Sequence, residues 1–337
     1  MAATADTGDN LRNVGAVAIG RNEGERLKRC LRSLHGKVET IVYVDSGSTD
    51  GSSEFAQKLG VHVVDLDTST PFTAARARNA GFRRLAEALP GVELVQFVDG
   101  DCEVVQGWLV AAARRLREAP HIALACGRRR ERYPERSVYN RLCDIEWDTP
   151  IGDARSCGGD VMIRARAFRE IGGYNESLIA GEDPELCVRL RAAGWKIDRL
   201  PDEMTLHDAA MTTFGQWWTR TTRSGYAYAE GVRMHGRPPE RHWVRESRRA
   251  LVLGGILPAV ALGGALPTLG ASTLLLLGYP ISAARAYAST RQRGRAADEA
   301  ALYAIFCTLG KLPEFQGMVR YHRNRLLRRR AQLIEYK

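Results

Sequence analysis

Short apolar runs recur along the first two thirds of the chain, separated by stretches whose apolar positions fall three and four residues apart. Val14–Ile19, Thr40–Val44, Val61–Leu66 and Glu93–Val98 are Val-rich and bounded by turn residues, the pattern of buried parallel strands. Between them, Glu23–Leu34 places Leu27, Leu31 and Leu34 on one helical face, and Asp50–Leu59 and Phe72–Leu89 also read as helices. This alternation predicts βαβ units, a mostly parallel sheet, and ligands outside the carboxyl ends of the strands. Past residue 120 the pattern is mixed, with strands near Ile122–Cys126 and Asp160–Arg164 and helices around 165–171, 182–193 and 213–234.

A different pattern begins at Ala250. From there to Ala284 run 35 residues without a charge or a histidine, where a membrane span needs roughly 20. Pro258, Gly263, Gly264, Pro267 and Gly270 interrupt the stretch, so two helices forming a membrane hairpin are expected. Arg241, Arg245, Arg248 and Arg249 precede it, and Arg285, Arg291, Arg293 and Arg295 follow. Basic flanks on both sides put both ends in the cytoplasm; a hairpin buried against the rest of the fold is the alternative. Arg320–Arg330, with Tyr321, Leu326 and Leu327 interleaved, reads as a helix on anionic headgroups. The expected organisation is a flexible N-terminus (1–12), an α/β domain (13–240), the hairpin (250–284) and a basic cytoplasmic helical tail (285–337). The expected location is the cytoplasmic face of the cell membrane.

Composition narrows the classes. At 45% hydrophobic and 26% charged the chain of 337 residues is neither disordered throughout nor collagen-like. A net charge of +10 favours anionic partners, and with no nucleic-acid-binding module these are nucleotide phosphates or acidic lipid. The seven cysteines form no CxxC pair, which disfavours a zinc ribbon or disulfide scaffold and favours a reducing compartment. The polar opening residues lack the apolar core of a signal peptide.

The candidate chemistry sits at the strand ends. The second strand runs into Asp45-Ser-Gly-Ser-Thr-Asp50, where Asp45 can accept from a ribose or base edge or can simply cap the next helix. The fourth ends in Asp99-Gly-Asp101. Two carboxylates this close repel unless a cation lies between or beside them, and hard oxygen donors suit Mg²⁺ or Mn²⁺ with a diphosphate completing the shell; the other reading is a plain Asp-Gly turn. Gly181-Glu-Asp-Pro-Glu-Leu186 opens a helix with Pro184 in its first turn, so Glu182 and Asp183 are either site residues at a sheet edge or capping acids.

Taken in order, VAIGRNEGERLKRCLRSL, VDSGSTDGS, ARARNAGF, FVDGDC, GGDVMIRARAFREIGGYNE and GEDPELCVRLRAAGW resemble glycosyltransferase family 2, nucleotide-sugar-dependent enzymes of the GT-A fold. The resemblance covers about Val14 to Arg223 and implies a Rossmann-like mixed, mostly parallel sheet with flanking helices. It implies a nucleotide pocket at Gly20, Asn22 and Glu23, nucleoside contacts from Asp45 and Ser48, and a base or diphosphate lining from Arg78 and Asn79. Gly159 and Asp160 fall on the sugar side. Asp99 becomes ribose-binding and Asp101 metal-binding, with His207 as a further ligand to a divalent cation (Mg²⁺ or Mn²⁺). Asp183 becomes the catalytic base, with Glu182 beside it. Asp160 stands where many relatives have Asn. A QxxRW signature of processive synthases is absent, the nearest text being Gln216-Trp-Trp-Thr-Arg220, which points to one sugar per acceptor. The implied reaction is inverting transfer from a nucleotide-diphosphate sugar to a lipid-linked or glycan acceptor in polysaccharide or cell-envelope biosynthesis. Arg76, Arg78 and the Arg128–Arg130 triplet are candidates for phosphate, the triplet reading more readily as a solvated basic face. Two rivals remain: a nucleotidyltransferase, for which GRNEGE is a poor phosphate loop, and a membrane-tethered nucleotide-sugar scaffold without catalysis.

Overall fold

The computed structural model describes residues 11–329. The expected flexible N-terminus, apart from its last two residues, and the tail from Arg330 onward lie outside the described residues.

The first expected run becomes β1 (Val14–Gly20), followed by α1 (Glu25–Leu34), β2 (Thr40–Asp45), α2 (Ser52–Lys58), β3 (His62–Asp65), α3 (Ala74–Ala88) and β4 (Leu94–Asp99). Beyond the short β5 (Cys102–Val104) come α4 (Trp108–Glu118), β6 (Ile122–Glu131), α5 (Val138–Glu146), β7 (Gly152–Asp153), β8 (Val161–Arg164), α6 (Ala165–Glu170), α7 (Glu182–Ala192) and β9 (Lys196–His207). One sheet holds all the strands in the order β3-β2-β1-β4-β8-β6-β9-β5, with β7 on β9. Its first half is parallel, as the βαβ reading requires. The second half is less parallel than expected, because β8 runs against both β4 and β6, and β5 and β7 run against β9.

The core follows from strands buried on both faces. Val14, Ala16, Val17 and Ala18 of β1 are fully buried, with α3 packed close above them. A Cβ on Gly81 would lie 2.3 Å from Val17 Cγ1 and 2.9 Å from Val44 Cγ2, so the ARARNAGF segment contributes a contact surface as well as polar groups.

Residues 11–133 and 146–209 form one compact unit; 134–145 and 210–329 form a second. The second unit is helical: α8 (Phe214–His235), α9 (Val244–Leu251), α10 (Leu257–Gly263), α11 (Gly278–Gln292), α12 (Ala297–Leu309) and α13 (Lys311–Leu326). Gln216 of the QWWTR text caps its own helix: its Oε1 accepts the Thr213 N–H at 3.0 Å while Thr213 Oγ1 accepts the Gln216 N–H at 3.3 Å.

The membrane hairpin is not found. Among the described residues no helix is long and apolar enough to cross a membrane, which overturns both the hairpin in the expected fold and the membrane-embedded location built on it. The apolar stretch is divided into a π-helical turn (Val252–Ile256), α10, a turn, a 3-10 segment (Ala271–Leu277) and the start of α11. Continuous helix from Ala250 ends at Gly263, about 21 Å at 1.5 Å per residue, against a hydrocarbon core near 30 Å. Tyr321, expected among headgroups, is buried and accepts from Arg233 Nε at 2.6 Å.

The tight α3 contact gives a first prediction. Gly81→Val overpacks the interface with β1 and β2 and is expected to destabilise the protein by about 1–3 kcal/mol. Denaturant unfolding measures this, and an unchanged midpoint would show that α3 can move away from the sheet at little cost.

Candidate active site

Registers bring the first carboxylates to one edge. Gly20 pairs with Asp45 and Ile19 with Asp99, so β2, β1 and β4 end side by side. Asp45 is buried and holds its own turn: Oδ1 accepts from Tyr43 Oη at 2.7 Å, and Oδ2 from the Gly47 and Ser48 N–H groups at 2.9 and 2.7 Å. Ser48 Oγ accepts the Asn22 N–H at 2.9 Å, and Asn22 Oδ1 accepts the Thr49 N–H at 2.8 Å. Asn22 takes a left-handed φ of 53° to do so. The structure thus brings Gly20, Asn22, Asp45 and Ser48 together as two laced loops, while Glu23 turns to Arg26 at 2.7 Å.

Arg78 occupies the centre. Its buried guanidinium donates to Asp99 Oδ1 at 2.7 Å, Glu182 Oε1 at 3.0 Å and Asp183 Oδ1 at 3.2 Å. α3 supplies the arginine, β4 the first acid, and the N-terminal turn of α7 the other two. Gly159 makes room: a Cβ there would lie 2.1 Å from Arg78 Nη2. Asn79, one residue on, goes elsewhere, donating to the Tyr174 carbonyl and Glu176 and accepting the Tyr174 N–H, each at 2.9 Å. It pins the loop before α7 and leaves the pocket to Arg78.

A second arginine at this centre comes from the Arg128–Arg130 triplet, a phosphate candidate in the sequence that read more readily as a solvated face. Arg129 Nη2 lies 2.8 Å from Asp160 Oδ2 and 3.4 Å from Asp99 Oδ2, with its guanidinium over the Trp147 ring. The triplet divides: Arg128 is buried and meets Asp148, Arg130 is exposed and meets Glu203, and Arg129 enters the site. The usable signal was strand alternation, which sends neighbouring side chains to opposite faces. Asp160 is fully buried beneath the site. It accepts the Asp99 N–H at 3.0 Å and Thr205 Oγ1 at 2.7 Å, so it positions Asp99 from below.

Charge balance sets the acidities. Four carboxylates (Asp99, Asp160, Glu182 and Asp183) face two guanidiniums. Burial pushes the Asp99 carboxyl up, but Arg78 and Arg129 outweigh it and leave the carboxyl below its ordinary value. For Asp183 burial wins: with Glu182 and Asp99 adding repulsion against the pull of Arg78, its carboxyl is raised to about 7. No raised value was expected from the sequence.

The last cluster is again a product of register. His207 ends β9, paired with Cys102 of β5 on one side and Glu131 of β6 on the other. His207 Nε2 lies 3.3 Å from Asp101 Oδ2, and Nδ1 lies 3.6 Å from Glu131 Oε2. Asp101, Cys102 and His207 can converge on one ion; Asp99 falls in a neighbouring group with Cys102 and Asp160. Burial pushes the Cys102 thiol well up, leaving a carboxylate and an imidazole as the donors, with Glu131 behind the imidazole. That set fits a hard divalent cation better than a thiolate metal site.

An α/β sheet with acidic strand ends and an acid-headed helix facing them defines a GT-A-type glycosyltransferase domain. The chain belongs to glycosyltransferase family 2: the profile described as "Glycosyl transferase family 2" matches residues 17–169, and "Glycosyl transferase family group 2" matches 142–292. Among curated relatives, the pre-mycofactocin glycosyltransferase of Mycobacterium tuberculosis is 26% identical over 60% of this chain and 44% of its own length. The succinoglycan biosynthesis protein ExoA of Rhizobium meliloti is 27% identical over 51% of this chain and 54% of its own. The chain therefore spans about half the length of these relatives. Among solved structures, the Pyrobaculum calidifontis mannosyltransferase PcManGT, in complex with GDP-Man and Mn²⁺, superposes with a TM-score of 0.59 at 15% identity, covering 92% of this chain and 87% of that one. This likeness bears on the fold alone, and it supports the expected GT-A fold without the hairpin.

The Arg129–Asp160 pair gives the second prediction. Arg129→Met strands a buried carboxylate and is expected to cost about 3–5 kcal/mol. Adding Asp160→Asn keeps an acceptor for the Asp99 N–H and should recover most of the loss. Equal unfolding midpoints for the single and double variants would contradict the pairing.

Proposed function

We propose that this chain is an inverting, non-processive glycosyltransferase that moves a sugar from a nucleotide-diphosphate sugar to a glycan acceptor carried on a lipid. The observation that carries the reading is one guanidinium, Arg78, bound at once to Asp99 on the donor side and to Asp183 at the head of α7. The complex of PcManGT with GDP-Man and Mn²⁺ supports such a donor, and relatives that include a pre-mycofactocin glycosyltransferase and a succinoglycan biosynthesis protein support glycosyl transfer. The lipid-linked acceptor draws its support from apolar side chains exposed on the second unit.

The laced loops carrying Asn22, Asp45 and Ser48 form the nucleoside end of the pocket. Asp101 and His207 would hold a divalent cation, with Asp99 beside them; when bound, such an ion supplies positive charge against the diphosphate leaving group. Asp183 accepts the proton of the acceptor hydroxyl as its oxygen attacks the anomeric carbon from the face opposite the diphosphate. A carboxyl raised to about 7 is a stronger base than an exposed aspartate and is still ionised in half the molecules at neutral pH. Arg78 holds that carboxylate in place and Glu182 shares the same guanidinium.

Three outcomes follow. Asp183→Asn should lower transfer about 10²–10⁴-fold with little change in donor affinity. Wild-type turnover should rise with pH through about 7 as the base loses its proton. A flat profile, or a loss confined to donor binding, would remove Asp183 from the role of base. Asp101→Ala should abolish the effect of Mn²⁺ on nucleoside-diphosphate binding, read by calorimetry with and without chelator; Mn²⁺-dependent binding that survives in the variant would contradict the metal assignment.

A further inference from the structure

One groove of the second unit lies outside everything used so far. It encloses about 460 Å³ along α9 and the π-helical turn, and Arg241, Arg245, Arg248 and Arg249 line it together with Val252 and Leu253. Arg245, Arg248 and Arg249 stand at helical positions i, i+3 and i+4, one face of α9. Among the described residues none of the four arginines makes an ion pair. The helix dipole favours Arg248 and Arg249 in the last turn, but it accounts for neither Arg241 nor Arg245. Four like charges around one concavity repel one another until an anion enters.

The groove is continuous with an apolar surface. The π-helical turn packs one side against α13, where a Cβ on Gly254 would lie 2.0 Å from the Lys311 carbonyl oxygen and one on Gly255 would meet the Phe315 ring. Tyr279 Oη donates to the Leu253 carbonyl at 2.7 Å and Ser272 Oγ to the Ala261 carbonyl at 2.7 Å, so the segment is tied down internally. Its other side remains uncovered: Val252, Ile256 and Val260 are exposed, and Leu266 and Leu269 at the following turn are 91% and 98% exposed. Packing against α13 has no use for these side chains. An anion-seeking groove that opens onto uncovered aliphatic surface matches a ligand with a charged head and a hydrocarbon tail. Its lining holds no aromatic ring on which a base could stack, which disfavours a nucleic acid.

We propose that this groove binds the phosphate head of an anionic lipid, with the hydrocarbon tail lying along Val252, Ile256 and Val260. This rests on the lipid-linked acceptor reading above and gives it a binding site; it requires no membrane-crossing helix. The four arginines supply charge-assisted hydrogen bonds to the phosphate oxygens, and the aliphatic face removes the tail from water.

The test uses the full chain and short-chain dihexanoyl phosphatidic acid kept below its micelle-forming concentration, with binding read by calorimetry. Wild-type protein should bind it at least tenfold more tightly than inorganic phosphate. Arg245→Gln/Arg249→Gln and, separately, Val252→Ser/Ile256→Ser should each weaken binding at least tenfold while leaving the thermal midpoint near the wild-type value. Absence of wild-type binding, equal affinity for inorganic phosphate, or unchanged affinity in either variant would overturn the proposal. Release of nucleoside diphosphate from a donor sugar is followed in the same preparations. Lipid binding lost with donor turnover kept overturns the groove alone, whereas lipid binding kept with no turnover of any donor overturns the transferase reading.

Discussion

The candidate site depends on the buried guanidinium of Arg78. It joins three carboxylates from two elements far apart in sequence, Asp99 at the end of β4 and Glu182 and Asp183 at the start of α7. Buried carboxylates at such distances repel strongly, and without this cation they could not share one cavity. Arg129 takes a second share of the load through Asp99 and Asp160. The two arginines still leave acid in excess, and burial concentrates that excess on Asp183 as a raised carboxyl. Holding the carboxylates together and raising one carboxyl to about 7 are therefore consequences of the same incomplete neutralisation.

The sheet does the rest of the positioning. Parallel pairing of β2, β1 and β4 sets Asp45, Gly20 and Asp99 along one edge. Pairing of β9 with both β5 and β6 sets His207 between Cys102, next to Asp101, and Glu131. Asp160, just before β8, then accepts from the Asp99 backbone. Asp45, Asp99, Glu131 and His207 are fixed by main-chain register, and Asp101 and Asp160 directly adjoin paired strands, so the geometry does not rely on flexible loops alone.

Much of this was legible because chemistry at strand ends leaves a short-range mark. The four Val-rich strands, the DGD turn at the end of β4 and the start of α7 fall where a handful of residues place them. β9 does not: KIDRLPDEMTLH carries charges and Pro201, and its register with β6 shifts at three places. Arg129 was hidden because a run of three arginines looks solvated until strand alternation and tertiary packing sort its members. Asp160 looked like part of a sugar pocket, and only the fold shows it buried beneath Asp99. The stretch 250–284 was misread as a membrane hairpin because an uncharged run reports composition, while a span also needs unbroken helix; Gly263, Gly264, Pro267 and Gly270 deny it that length.

The central claim is that the Arg78 cluster leaves Asp183 poised as a base near neutrality. Site-specific ¹³C NMR titration of the Asp183 carboxyl, assigned by loss of its signal in Asp183→Asn, tests it directly. The account predicts a midpoint near 7. A midpoint near 4, the ordinary range for an aspartate, would mean that the two arginines neutralise the cluster completely and that the site lacks the base proposed for it.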